Sequence, residues 1–263
     1  MEGLNKNNID SKRIIITGGT EGIGNAILKE LSPNNNIVIC ARTKEKLDNI
    51  KKDNNIEAIE LDLGNISEVK SFAEKSINYL GGLNSIILNA AVTGLKESRD
   101  YVLKVNSDSQ KILIDAVSPS LRESSGRIIL LTSSQAESPI KDNPSYGESK
   151  RDIENWLINF SKKEENRTIK IIFIVPGPVD TRMHEEAINL GGDETRNRSI
   201  KIKESGKLRD PRIIGKIISK ISMSGNKFNP ETKEYDIPIK QNEKVLISDE
   251  NMKFELNNQD SQG

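Results

Sequence analysis

Ser133, Tyr146 and Lys150 are the residues of this chain whose types and spacing can do chemistry. Tyr146 precedes Lys150 by four residues, so in a helix the phenol and the ammonium share one face. A free tyrosine titrates near ~10, too high for a good acid or base at neutral pH, but a nearby cation favours the phenolate and lowers that value. A tyrosine tuned in this way passes a proton to or from an alcohol oxygen, as interconversion of an alcohol and a carbonyl requires. Ser133, thirteen residues before Tyr146 at the end of an apolar run, can hydrogen-bond the same oxygen. The same Tyr-x-x-x-Lys spacing also arises by chance in helices, so its meaning depends on what the rest of the chain builds around it.

The first element is a short apolar strand, Arg13 to Ile16, which runs into the glycine turn Thr17 to Gly24. A helical pattern follows, with Ile23, Ala26, Ile27 and Leu31 on one face. In such a turn the backbone approaches a phosphate closely, and the free N–H groups and dipole of the helix attract its charge. Gly18, Gly19, Gly22 and Gly24 could instead serve only a tight connection; their place between strand and helix, opening a repeated β/α pattern, favours dinucleotide binding. The second strand, Asn36 to Cys40, ends in Ala41-Arg42-Thr43. Folds that bind NAD place an acid there for the ribose 2′-hydroxyl, whereas the Arg42 cation suits the 2′-phosphate of NADP. Glu21, in the glycine turn, works against that phosphate, and Arg42 has the alternative of being a solvated helix-start residue.

The third strand, Ile56 to Leu61, leads to Asp62-Leu63, at the sheet edge where open α/β folds bind ligands. Asp62 can contact an adenine there, or serve as a turn residue or cap for the next helix, whose stripe is Ile66, Val69, Phe72, Ala73 and Ile77. The fourth strand, Ser85 to Leu88, leads into Asn89-Ala90-Ala91, and a long helix spans about Tyr101 to Val117. Asn106 lies inside that helix although its amide competes for backbone hydrogen bonds, so it either interrupts the helix, holds a water, or is one of many surface asparagines. A fifth strand, Arg127 to Thr132, delivers Ser133. The helix from Tyr146 to about Lys163 carries Ile153, Trp156, Leu157 and Phe160, and a sixth strand, Ile169 to Val175, exits through Pro176, Gly177, Val179 and Thr181. The prolines stiffen that exit and leave Thr181 free to hydrogen-bond a ring amide. Six strands alternating with helices define the fold class as α/β, a doubly wound parallel sheet of Rossmann type in a single domain.

Composition removes other classes. Lys plus Arg and Asp plus Glu each number 39, so no basic field points to nucleic acid. Cys40 is the lone cysteine and sits in an apolar run, which excludes a disulfide framework and a cysteine metal site. No apolar stretch reaches the ~20 residues of a membrane span, and the amino-terminal residues lack a secretory apolar region, so a cytoplasmic protein is expected.

The glycine turn, Asp62-Leu63, Asn89-Ala90-Ala91, Asn106, Ser133, Tyr146 with Lys150, and the Pro176 to Thr181 exit stand in the order and spacing of the short-chain dehydrogenase/reductase family, which the chain resembles over roughly residues 12 to 182. The resemblance implies Tyr146 as general acid/base, Lys150 as holder of the nicotinamide ribose that lowers the tyrosine pKa, Ser133 as polariser of the substrate oxygen, and Asn106 as the residue positioning a relay water. It further implies a cofactor site of Gly18, Thr20, Gly22, Ile23, Gly24, Arg42, Asp62, Leu63, Asn89, Ala90, Tyr146, Lys150, Pro176, Gly177, Val179 and Thr181. The C-terminal third is similar to the sepiapterin reductase and benzil reductase group, in which Asp236 would anchor substrate beside Ser133 and Tyr146.

The departures from the family pattern are local. Ala91 replaces a glycine and must avoid positive φ or bear strain. The stretch from Asn89 to Asn106 is shorter than in the family, and Glu21 stands where NADP-preferring members often carry a base. Residues 182 to 210 are charged and weakly periodic, as expected of a lid, with His184 more readily a lid surface residue than a ligand. The reductase domain is expected over 1 to 240, with 241 to 263 a C-terminal extension containing one strand-like run and a frayed polar end. The helices bearing Asn106 and Trp156 are expected to form a homodimer or homotetramer interface, unless Trp156, Leu157 and Phe160 are plain core.

The expected reaction is hydride transfer between NADPH and a carbonyl or alcohol, with sugars or simple aldehydes as alternative substrates and NAD as the less favoured cofactor. A non-catalytic NADP-binding regulator is the alternative from another class, although sensing needs no proton donor.

Overall fold

The computed structural model describes residues 11–50 and 55–260. The short apolar runs form a parallel sheet because the central strands are buried on both faces, so Ile, Val and Leu dominate their interior positions. Strands β1 (Arg13–Thr17), β2 (Asn36–Ala41) and β3 (Ile56–Glu60) alternate with helices α1 (Gly22–Leu31), α2 (Lys44–Ile50) and α3 (Ile66–Leu80). Strand β4 (Ser85–Leu88) is followed by α4 (Arg99–Leu103), a π-helical turn (Lys104–Asp108) and α5 (Ser109–Glu123). Then come β5 (Arg127–Leu131), α6 (Pro144–Ser161), β6 (Lys170–Val175), α7 (Arg182–Leu190), α8 (Asp193–Glu204) and α9 (Pro211–Ser224). The chain continues through the antiparallel pair β7 (Asn226–Asn229) and β8 (Glu234–Pro238) to β9 (Glu243–Leu246) and α10 (Asp249–Asp260).

The main sheet has seven parallel strands in the order β3-β2-β1-β4-β5-β6-β9. Alternation along β1 divides the core: Ile15 packs with Phe72, Val117 and Leu157 on the α3, α5, α6 side. Ile14 and Ile16 pack with Ile27, Ile213 and Ile217 on the α1, α9 side. The strand order reverses between β1 and β4, which opens a crevice at the carboxyl ends of the strands.

Two expectations change here. The run Lys244 to Ile247 does not hang from a domain ending at 240: Glu243–Leu246 is the seventh strand, paired in parallel with Ile172 to Val175 of β6. The expected frayed end is helical as far as Asp260, and 261–263 lies outside the described residues. The single helix expected over 101 to 117 runs from Arg99 to Glu123, and Asn106 lies in the π-helical turn that interrupts it. Leu157 and Phe160 are core, while Trp156 is half-buried and stacks on Phe160 at 5.2 Å. No helix among the described residues is long and apolar enough to cross a membrane.

Candidate active site

The crevice begins at the glycine turn. Gly18 has φ +72, and a Cβ there would lie 3.1 Å from Ala90 Cα and from Asn89 Nδ2, so backbone approach requires glycine. At Gly24 a Cβ would lie 2.1 Å from the Gly18 carbonyl oxygen, which closes the turn against α1. Asn89 locks this arrangement, its Nδ2 donating to the carbonyls of Thr17 and Gly18 at 3.0 Å each. The N-cap of α1, Glu21, makes no side-chain capping bond. The first N–H groups of the helix are thus without a side-chain cap from it, as a phosphate site requires.

Of the residues expected to form the site, all line one cleft except Gly24, Asn106 and Asp236. Gly24 acts behind the turn, as described. Asn106 is fully buried: its Oδ1 accepts from Val92 N at 2.8 Å, and its Nδ2 donates to Val92 O and Ser149 Oγ at 3.0 Å each. Its side chain ties the loop after β4 to α6. Asp236, expected to anchor substrate, is not among the residues lining this cleft: it stands exposed on β8 and accepts from Thr232 Oγ1 at 2.9 Å. Asp236→Ala should therefore leave kcat/KM on any accepted carbonyl unchanged within about twofold, as for surface substitutions away from a site, when initial rates are compared.

Tyr146 and Lys150 stand on the first two turns of α6, which Pro144 opens at a position where its missing N–H costs nothing. Lys150 is buried, its Nζ 5.8 Å from the Tyr146 ring centroid and 2.9 Å from the Leu131 carbonyl to which it donates. Ser133 lines the cleft with its Oγ accepting from Gln135 N at 3.2 Å. Burial dominates the electrostatics of both groups. Burial pushes the Tyr146 phenol up to about 12, and burial pulls Lys150 down to about 8 against the pull of Glu154, which favours its charge. Burial is what raises the phenol, while the Lys150 ammonium donates to the Leu131 carbonyl below it. Tyr146 consequently carries its proton at neutral pH, the form required of an acid.

At the other end of the cleft, Arg42 lies at the end of β2 with its Nη1 3.5 Å from Tyr101 Oη. Tyr101 in turn donates to the Asp62 carboxylate at 3.0 Å, and Asp62 also accepts from Gly64 N at 2.8 Å. Asp62 is thus both a turn residue and a wall of the cleft. Burial, then the Asp62 carboxylate, raises the Tyr101 phenol above its ordinary value. Glu21, the residue expected to repel a phosphate, is paired with Lys46, and Arg182 lies 3.9 Å from it. Ala91 is not among the residues with positive φ, so the missing glycine costs no strain. Burial also raises the Cys40 thiol to about 12, which leaves it an inert core group.

The exit from β6 is pinned by Arg209, whose Nη1 donates to Pro176 O at 2.9 Å and Ile247 O at 2.8 Å. The stretch expected to be a lid forms α7 and α8. Its fastenings are polar: Lys96 to Glu186 at 2.8 Å, and Asp142 accepting from Glu194 N at 2.9 Å and Thr195 N at 3.1 Å. Met183 and His184 of α7 line the cleft, with Met183 Sδ 4.0 Å from Tyr146 Oη, so His184 faces the site rather than open solvent alone. As contributors to the site, Tyr101 and Lys46 escaped the sequence reading. Only Lys46 left a signal there, a cation one turn beyond Arg42.

The sequence profile of the short chain dehydrogenase family matches residues 12–189. An uncharacterized oxidoreductase of Staphylococcus epidermidis is 30% identical over 189 residues, spanning 67% of this chain and 82% of that protein. A hydroxysteroid 11-beta-dehydrogenase 1-like protein of Xenopus laevis is 26% identical over 210 residues, spanning 73% and 71%. Among solved structures, a short chain dehydrogenase/reductase of Saccharomyces cerevisiae superposes with a TM-score of 0.77 over 93% of this chain and 99% of its own at 20% identity. A metagenomic short-chain oxidoreductase in complex with NADP superposes at 0.66 over 90% and 97%, at 19% identity. With its sheet order, its glycine turn and its Ser133, Tyr146 and Lys150 gathered in one cleft, the chain belongs to the short-chain dehydrogenase/reductase family and is an oxidoreductase of the hydride-transferring kind.

Proposed function

We propose that the protein is an NADPH-dependent reductase of ketone or aldehyde carbonyls, with Tyr146 as proton donor. The observation that carries this reading is geometric: the half-buried Tyr146 lines the same cleft as Ser133 and Lys150, with Lys150 Nζ 5.8 Å from its ring centroid. When bound, a nicotinamide cofactor supplies the hydride. Gly18, Thr20, Gly22 and Ile23 would hold its phosphates at the start of α1, Leu63, Asp62 and Ala90 would wall the adenosine end, and Val179 and Thr181 would meet the other end. Ser133 donates to the substrate oxygen, Tyr146 releases its proton to that oxygen as negative charge develops, and Lys150 stabilises the phenolate left behind.

Preference for NADP rests on Arg42 at the end of β2 and on the pairing of Glu21 with Lys46, which offsets the charge that would oppose a 2′-phosphate. Arg42→Asp should lower the NADPH to NADH ratio of kcat/KM by about 10- to 100-fold, the loss expected for one charge-assisted bond. An unaltered ratio would count against the NADP assignment. Leu95, Ile140, Met183 and Ile202 line the same cleft and suit an apolar ring or diketone. The relatives named for hydroxysteroids and, in Metarhizium brunneum, for hydroxynaphthalene reduction have names consistent with ring substrates.

The deciding assay follows NADPH and NADH oxidation with benzil-type diketones, sepiapterin, simple aldehydes and sugars. NADPH turnover of the diketones is the expected result. Turnover of sugars or simple aldehydes alone would move the substrate class, and cofactor binding with no turnover throughout would replace catalysis by cofactor sensing.

A further inference from the structure

Behind the floor of the cleft lies a chain of charges that the proposed reaction does not use. Glu154 stands one turn beyond Lys150 on α6, on the same face, and both are buried, at 8% and 2% exposure. One oxygen of the Glu154 carboxylate accepts from Thr132 Oγ1, and Thr132 directly follows Leu131, whose carbonyl accepts from Lys150 Nζ. The other oxygen lies 3.0 Å from Lys244 Nζ, which also reaches Glu137 Oε1 at 2.8 Å. Lys244 is on β9, held in register against Phe173 of β6. The strand that follows the expected domain end therefore delivers a cation to the back of the active site.

A carboxylate this deep is costly unless it is paired, and it has two polar partners. The charged neighbours on each side are few. Lys150 meets Tyr146 and Glu154 from its own helix, and Glu154 meets Lys244 from β9, with Glu137 beyond. Arg151 turns away to donate to the Ala136 carbonyl at 2.6 Å, and Asp152 turns to Ser107 and Lys111. Among the described residues, Glu154 is the carboxylate whose charge favours the Lys150 ammonium against its desolvation.

We propose that Glu154 is a positioning residue that keeps Lys150 charged and aimed at the end of β5, and that Lys244 moderates this influence from the C-terminal strand. The inference rests on the reading of Lys150 as an active-site residue. The two residues act on Lys150 with opposite sign: removing the Glu154 charge disfavours the ammonium, whereas removing the Lys244 charge leaves Glu154 less compensated and favours it.

The test is an NMR titration of the full-length cofactor-free protein labelled with ¹³C at lysine Cε, the Lys150 signal being the one missing from Lys150→Met. Glu154→Gln should lower the titration midpoint of Lys150 by about one pH unit, and Lys244→Gln should raise it by a smaller amount. The limb of the kcat/KM profile that depends on Lys150 should move in the same two directions. A purely structural role would lower the melting temperature of both variants with the midpoint unmoved, and that result, or shifts of both variants in one direction, overturns the proposal. Should Glu154→Gln not fold, Lys244→Gln alone decides by the presence or absence of an upward shift. The titration needs no turnover, so a wild-type protein inactive on every carbonyl would count against the reductase reading without touching this one.

Discussion

Tyr146→Phe should reduce carbonyl turnover by about 10³-fold while leaving NADPH binding near the wild-type value, the span expected for loss of a positioned general acid. The substitution removes one oxygen atom and keeps the ring. The only side-chain contact of the hydroxyl among the described residues is the distant Met183 sulfur, so no structural hydrogen bond is lost with it. Stability should rise slightly if it changes, because a half-buried phenol without a good partner is being replaced by an apolar ring. Initial rates, cofactor titration by fluorescence and thermal unfolding check the three parts together. Unchanged turnover removes Tyr146 from the reaction. A loss matched by lost cofactor affinity would make it a binding residue instead. The direction of catalysis gives a second handle: with its phenol pushed up to about 12, Tyr146 is set to donate, so reduction should hold its rate across neutral pH. Oxidation, which needs the phenolate, should climb as the pH rises.

The sheet was legible because burial on both faces leaves unbroken apolar runs, and Arg13 to Thr17, Ser85 to Leu88 and Arg127 to Leu131 fall within a residue of where hydropathy places them. The glycine turn was legible for a backbone reason: positions such as Gly18, with positive φ and a neighbour at 3.1 Å, admit no other residue. What escaped reading is long-range. Lys46 reaches Glu21 across 25 positions, and Tyr101 reaches Asp62 across 39, and neither residue type marks itself as a site. Strand β9 looked like an appendage because only its pairing with β6 shows that it completes the sheet. Asp236 shows the converse: a matching tripeptide placed it at the substrate, whereas it stands on the antiparallel pair β7-β8 and is not among the residues lining the cleft. The burial of Tyr146 was not legible for a related reason: spacing shows that a lysine is near, while only packing shows the desolvation that raises the phenol.

Lys150→Met should abolish carbonyl reduction and make the protein more stable. In the unfolded chain Lys150 titrates at an ordinary lysine value, and in the fold burial brings it down to about 8. The unfolded state therefore holds the proton more tightly, and between about pH 8 and pH 10.5 stability rises with pH as that proton is lost from the native state first. Below pH 8 the lysine is charged in both states and its full cost is present. Methionine fills nearly the same volume without a charge, at the cost of leaving the Leu131 carbonyl without its donor. The net gain at pH 7 should be about 2 kcal/mol, or roughly 5 °C in melting temperature for a domain of this size. The gain should shrink toward zero, and then reverse, by about pH 10.5, where the native lysine is already neutral. Melting curves at pH 7 and pH 10 read the sign directly, and a variant less stable than wild type at pH 7 would show that Lys150 is held by attractions stronger than its desolvation. The expected pattern instead marks Lys150 as a residue kept against stability, which makes sense only if the cleft requires a cation where the fold alone would not place one.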